Sequence, residues 1–337
     1  MSRYAVEALD DALDATKALL TPIDARQWLR LALVVFFLGG AGGGAPSASV
    51  GSSTGGPTIT APGPPRNGVR LPFSPEEAAS IAFGALAVGL ALGVAYVLVA
   101  SVMEFVFVES LRRQHVRIRR YADQHLGRGL RLFGFRIALS LLVVVPAGGV
   151  VLAVLSAVGG EPRVSVGLLA VFVPLFIVLG TLVAFIDVFT THFVVPVMVG
   201  QNVGVVSGWR RFWPTLIREW PEYGVYALVR IVLGVAVGVA ASVVGAVVGA
   251  VVLVPIAVVG ALTVPTFGSL PALLSNPVAF GVGIAILLGY AVVTTALTAV
   301  VLVPIQTYVR YHALLVLGDT NREFDLIPEL RREIRAG

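Results

Sequence analysis

Long apolar runs separated by short polar, arginine-bearing stretches give this chain its basic rhythm. Six runs are long enough to be membrane spans: 28–44, 74–108, 133–158, 166–199, 223–254 and 278–308. A crossing needs roughly 20 apolar residues. The interval between Arg230 and Arg310 contains no Asp, Glu, Lys or Arg, and so holds at least two crossings. The predicted fold class is all-α, a polytopic membrane helix bundle of six spans. A β-barrel would show short segments of alternating polarity instead. The second run opens on Ser74, Pro75 and Glu77, in the order of a capping box with proline at the first helical position.

The segments between and around the runs divide the chain further. Residues 1–22 carry Glu7, Asp10, Asp11 and Asp14 and no apolar core, which is unlike a signal peptide. They predict an amphipathic helix at the membrane surface with Val6, Leu9, Leu13 and Leu20 on its apolar face. Residues 23–312 form the membrane domain, and 313–337 are expected to be a cytosolic tail. Residues 41–73 are Gly, Ser, Thr and Pro of low complexity and predict a disordered outer loop. Residues 255–277, uncharged and punctuated by Pro265 and Pro271, are expected to lie in the interface or dip back into the membrane.

Composition agrees with the pattern. The hydrophobic fraction is 57%, charged residues are 13% and mean hydropathy is +0.92. A soluble domain carries about 25% charge, so the class is a membrane protein. Charge then sets orientation. Arg3, Lys17, Arg26 and Arg30 precede the first run, and Arg112 to Arg131 separate the second from the third. Arg210, Arg211 and Arg218 separate the fourth from the fifth, and Arg310 to Arg335 follow the sixth. The other side has Arg66, Arg70 and Arg163. The excess of basic residues on cytoplasmic loops predicts both termini in the cytoplasm and residence in the cytoplasmic membrane.

A threefold echo suggests three hairpin repeats. "WLRLAL", "FRIAL" and "VRIVL" place Arg30, Arg136 and Arg230 at the start of apolar runs, and "EFVFV", "HFVVP" and "TYVRY" close the returning runs. The pairs Gly89/Gly93, Gly234/Gly238 and Gly245/Gly249 predict close helix packing within the bundle.

The stretch "AFIDVFTTHFVVPVM" at 184–198 raises the chemical question. Asp187 is placed about ten residues, roughly 15 Å, from the end of its run. A charge at bilayer depth costs at least about 2.5–3.5 kcal/mol. Pairing with a cation relieves that cost. The expected intramembrane polar cluster is Asp187, Thr190, Thr191, Glu104, Arg136 and Arg230. In it Asp187 contacts Arg136 or Arg230, Glu104 takes the other, and the two threonines share the face of Asp187. A second candidate is the basic segment 109–131, in which Arg112, Arg113, Arg117, Arg119 and Arg120 alternate with apolar residues. It is expected to lie in the headgroup layer, with its guanidinia on lipid phosphates.

Motifs for nucleophilic, zinc or nucleotide chemistry are absent, the four histidines lack metal-ligand spacing, and there is no cysteine. No enzyme activity, metal, cofactor or nucleic-acid partner is expected. The phrases "AVEALDDALDATKALLTPIDARQWLRLALVVFFLGG", "RRYADQHLGRGLRLFGFR" and "DVFTTHFVVPVMVGQNVGVVSGWRRFWPTLIREWPEYGVYALVR" resemble an uncharacterised haloarchaeal family of multi-pass membrane proteins. The last phrase is more distantly similar to the membrane domain of glycerophosphodiester phosphodiesterases, whose catalytic domain has no counterpart here. The sequence pI near 9.9 departs from the acidic habit of salt-adapted proteins. The expected role is a membrane-organising or accessory protein whose basic inner face meets anionic lipid or a protein partner. The alternative is a small-solute or ion transporter that uses Asp187.

Overall fold

The computed structural model describes residues 4–21, 24–41, 75–158, 162–267 and 276–336. Every regular element among them is helical. They are α1 (Tyr4–Leu20), α2 (Ala25–Ala41), α3 (Pro75–Arg112), α4 (Ile118–Val158), α5 (Pro162–Phe189), a π-helical turn (Thr190–Val194), α6 (Val195–Gln201), α7 (Val205–Arg218), α8 (Trp220–Phe267), α9 (Pro277–Thr320), a 3-10 turn (Arg322–Phe324) and α10 (Pro328–Ala336). Four stretches, Phe83–Arg112, Ile118–Ala157, Arg163–Gln201 and Gly281–Thr320, are long and apolar enough to cross a membrane. Of the other two runs expected to span, one lies in α2, whose 17 residues are short for a crossing. The other lies in the 48-residue α8.

Helix length explains the architecture. Thirty-eight to 48 residues at 1.5 Å each extend about 57–72 Å, twice the roughly 30 Å of a hydrocarbon core. The long helices accordingly have two halves. Along 83–94 of α3, 141–155 of α4, 164–185 of α5, 228–258 of α8 and 278–301 of α9 large apolar side chains are exposed. Beyond those stretches the same helices pack into a dense core of Phe105, Phe107, Leu111, Phe193, Met198, Phe212, Tyr223, Tyr226, Tyr311 and Leu314. Here Phe193 stacks on Phe212 with ring centroids 5.5 Å apart and meets Tyr223 edge-on at 5.0 Å. The long helices pack side by side in the order α5, α4, α3, α2, α9, α8, and α7 reaches across to α4, α8 and the π-helical turn.

Several expectations change. α1 buries Ala5, Ala8, Ala12, Ala15 and Leu19, mainly against α9, while Val6 and Leu13 point outward. Alanines at this three- and four-residue spacing let two backbones approach closely, which the larger residues on the opposite face cannot. Residues 313–337 are not a loose tail. α9 runs on to Thr320, and α10 docks back through Arg331, which pairs with Asp319 at 3.2 Å and Asp325 at 3.1 Å. Arg335 ties α10 to Asp11 and Asp319, both at 2.7 Å, and these carboxylates, Asp319 first, raise its pKa.

The basic segment 109–131 is no separate surface helix either. It comprises the end of α3, a tight turn at Arg113–Arg117 with Gln114 at φ 52°, and the opening turns of α4. Its Leu111, Val116 and Tyr121 belong to the protein core, and Leu126 and Leu130 remain exposed. α8 continues through Pro255 and Pro265 to Phe267, so the first half of the expected interfacial segment is helix.

The paired glycines meet expectation only in part: a Cβ on the buried Gly249 would stand 3.2 Å from the Tyr290 hydroxyl of α9, a close helix contact. A Cβ on Gly89, Gly93, Gly238 or Gly245 would meet nothing within 4 Å, whereas Gly129 lies against the backbone of Val102. α3 begins at Pro75, but Ser74 of the capping box and the loop 42–74 lie outside the described residues.

Candidate functional site

Where the exposed apolar halves give way to the packed core, four charged side chains from four helices meet. Arg136 of α4 donates from Nε to Asp187 of α5 at 2.9 Å and from Nη2 to Glu104 of α3 at 3.2 Å. Its Nη2 also reaches Thr191 Oγ1 at 2.9 Å, and Nη1 reaches Ser101 Oγ at 3.5 Å. Arg310 of α9 takes the other oxygen of Glu104 at 2.5 Å and donates to the carbonyl of Thr191. Its guanidinium also lies over the Phe107 ring, 5.7 Å from the centroid. Glu104 is fully buried. Two carboxylates and two guanidinia thus form a neutral, hydrogen-bonded knot. Such a group tolerates burial because each charge has a partner and most remaining donors find acceptors.

Asp187 therefore pairs with Arg136, as one branch of the sequence reading had it. The other branch fails: Glu104 takes Arg136 and Arg310, not Arg230. Arg310 was visible in the sequence only as a charge after the last run. Nothing local showed that α9 continues helical past it and carries it inward against α3.

A π-helical turn shapes the α5 side of the knot. The N–H of Val195 bonds the carbonyl of Thr190, five residues back. Pro196 follows immediately. It has no N–H for the carbonyl of His192, and its ring would clash there in a regular helix. The widened turn relieves that conflict and leaves the Thr191 carbonyl for Arg310. It also splits the expected face. Thr191 stays with Asp187 on Arg136, whereas Thr190 bonds back to Ile186 and accepts from Trp209 Nε1 at 2.9 Å.

Arg230 of α8 stands apart. It is half-buried and forms no ion pair with a described residue, and its Nε is buried without a hydrogen-bond partner. Near it are Tyr226, one turn back on α8, and His192. Their rings are 6.1 Å apart, and Tyr226 stacks on His312 at 5.3 Å. The charges of Arg230 and Arg310 both act on Tyr226 and His192. Tyr226 Oη, His192 Nδ1 and Thr307 Oγ1 are likewise buried without a partner. Tyr226 and His192 drew no attention in the sequence as a pair, since they lie on different helices.

The second candidate site is a cleft of about 720 Å³ between the α3–α4 turn and the start of α10. Arg112, Arg113, Arg117, Arg120, His115 and Tyr121 line one wall and Glu329 and Glu333 part of the other. Arg112 and Arg113 both contact the buried Glu109, and the hydrogen bond and charge of that carboxylate raise the pKa of Arg113. Arg117, Arg119 and Arg120 are exposed and have no acidic partner among the described residues; Arg119 lies outside the cleft. Among the described residues no group of His, Asp and Glu is placed to hold a metal ion.

Over residues 3–327 the chain matches a family of unknown function (DUF7544) and belongs to it. That match lends no support to a haloarchaeal source or to a likeness with phosphodiesterase membrane domains. No curated protein and no solved structure matches the chain.

Proposed function

We propose that this member of the DUF7544 family is a non-enzymatic integral protein of the cytoplasmic membrane, with its packed end inside and its exposed apolar end spanning the bilayer. Its role is that of an accessory or membrane-organising protein that engages anionic phospholipid. Six crossings follow if α2 and α8 join the four unambiguous helices. Three observations support the orientation and depth. The exposed apolar stretches end near Ser101, Asp187 and Thr307 on three separate helices. From there to their far ends are roughly 20–30 residues, about 30–45 Å, enough for a tilted crossing of a hydrocarbon core of roughly 30 Å. Trp213 and Trp220 are exposed on the packed side, where tryptophans collect at a membrane interface. On this reading the knot sits at the inner boundary of the hydrocarbon rather than at depth, which lowers the cost of its charges.

The observation that carries the lipid reading is the trio Arg117, Arg119 and Arg120, exposed and without an acidic partner among the described residues, beside Arg112 and Arg113, which Glu109 holds. Guanidinium groups fork onto phosphate oxygens. Each basic residue near an anionic surface contributes about 1 kcal/mol, so the trio contributes about 3 kcal/mol. Asp187, bonded to Arg136 at 2.9 Å, is a fixed strut, which favours the accessory reading over an ion carrier.

The test compares wild type with Arg117→Gln/Arg119→Gln/Arg120→Gln, purified from membranes of mixed composition. The lipid that co-purifies is measured by native mass spectrometry. Enrichment of anionic over zwitterionic phospholipid in wild type, lost in the triple variant, is the expected result. Equal enrichment in both, with correct insertion of the variant, removes the proposal.

A further inference from the structure

Charge balance at the level of the knot leaves one cation over. Two acids, Glu104 and Asp187, stand against three arginines, Arg136, Arg310 and the separate Arg230, and the first two arginines consume both acids. Arg230 also does not do what a lone arginine at a membrane boundary does. Such a side chain snorkels toward the aqueous side, which for Arg230 is back along α8 toward Trp220. Instead its Nη1 lies 3.8 Å from where a Cβ on Gly234 would stand, one turn farther from Trp220. Helical side chains normally lean the other way, toward the N-terminus.

The surroundings repeat the imbalance in hydrogen bonds. Arg230 Nε, Tyr226 Oη and His192 Nδ1 are all buried without a hydrogen-bond partner among the described residues, and Thr307 Oγ1, one turn before Arg310, is a further such atom. Buried polar groups in native proteins are nearly always bonded, so the three on Arg230, Tyr226 and His192 mark a ligand's place. Arg230 itself is only half-buried, and the apolar residues around it on α8, Leu228, Ile231 and Val232, are exposed.

We propose that Arg230, with the hydroxyl of Tyr226 and the imidazole of His192, forms a binding site for a phosphate-bearing anion, best fitted by the headgroup phosphodiester of an anionic phospholipid arriving along α8. Arg230 supplies the charge that completes the balance and a planar fork for two oxygens. Tyr226, four residues back on the same helix face, supplies a neutral donor, and His192 a nitrogen that donates in one of its two tautomers. Arg310, which donates to the carbonyl of Thr191 next to His192, closes the side toward the knot. A phosphodiester has the acceptors for these donors and a single negative charge, and its acyl chains would run along the exposed valines of α8. The site rests on the membrane reading above but not on the basic cleft, from which its residues are distinct.

Tyr226→Phe is the most informative variant. It keeps the ring that packs on His312 and removes only the unpartnered hydroxyl. If nothing binds, deleting an unsatisfied buried hydroxyl is neutral or stabilising; if a phosphate binds, it weakens binding. Wild type, Tyr226→Phe, Arg230→Gln and the cleft variant Arg117→Gln/Arg119→Gln/Arg120→Gln are purified in detergent. Each is titrated with phosphatidylglycerol, phosphatidylcholine or inorganic phosphate. Retained ligand is read by native mass spectrometry at rising collision energy, and melting temperature in parallel.

The expected result is one phosphatidylglycerol per chain that outlasts all others in wild type and in the cleft variant. Its apparent affinity falls at least tenfold in Arg230→Gln and severalfold in Tyr226→Phe. Phosphatidylglycerol should raise the wild-type melting temperature and raise that of Tyr226→Phe less. A shift with inorganic phosphate alone supports the anion site and assigns it a free anion rather than a lipid. Retention of the same last lipid by Arg230→Gln and Tyr226→Phe, or a melting temperature in wild type that neither anion moves, overturns the site. Failure of the cleft variant alone bears only on the surface reading.

Discussion

Replacing Arg136 by leucine removes the central cation of the knot. Two carboxylates then face one guanidinium: Glu104 keeps Arg310 at 2.5 Å, while Asp187, whose nearest cation was Arg136 at 2.9 Å, is left without a partner. Thr191 Oγ1 and Ser101 Oγ lose a donor as well. Breaking a buried pair by removing one member costs about 3–5 kcal/mol, and Arg136→Leu is expected in that range. Asp187→Leu is milder, because Arg136 retains Glu104 and Thr191. It loses one charge-assisted hydrogen bond, about 1.5–3 kcal/mol.

The double variant Arg136→Leu/Asp187→Leu restores neutrality, with Glu104 and Arg310 still joined. Its loss should fall short of the sum of the single losses by about 1–3 kcal/mol, the range for residues in one network. Arg230→Leu/Asp187→Leu should be additive within about 0.5 kcal/mol, since these two side chains do not touch. Unfolding free energies in mixed micelles titrated with SDS give all five values. An additive Arg136/Asp187 pair, or a coupling between Arg230 and Asp187 as large as theirs, would refute the geometry of the knot.

Two further predictions concern orientation and core. In this cysteine-free chain, His115→Cys and Val206→Cys should resist impermeant thiol reagents in sealed cells and react after the membrane is opened, because both lie on the basic end; labelling from outside would invert the arrangement. Phe193→Ala, which empties a buried position between Phe212, Tyr223 and Tyr226, should cost about 3–5 kcal/mol in the same unfolding assay. Phe176→Ala, on the exposed part of α5, should stay within about 0.5 kcal/mol, and equal losses at the two positions would deny that the core lies at this end.

The sequence by itself determined what depends on neighbours along the chain. Apolar runs with few charges dictate long helices, because a backbone without water must bond to itself. Pro75 marked the start of α3 for the same local reason. A lone Asp187 in such a run demanded a cation, and Arg136 was one of two within reach of the same level. The heptad-like alanines of α1 were equally legible, but the larger Val6 and Leu13 drew the reading to the wrong face. A residue's size says how much apolar area it carries, not which side another helix can approach.

Only the tertiary structure decided what depends on which helices are neighbours and where each one stops. It brought Arg310 onto Glu104, a contact between residues 206 apart, and so displaced Arg230 from the pairing the sequence allowed. It folded the basic segment into the end of α3, a turn and the start of α4, whose Leu111, Val116 and Tyr121 serve the core. It set His192 of the π-helical turn beside Tyr226 of α8, with α6 and α7 between them along the chain. The reason is common to all three. Periodicity fixes the faces of a single helix, whereas the choice among several equally apolar faces is made by packing and by the requirement that every buried charge find its opposite.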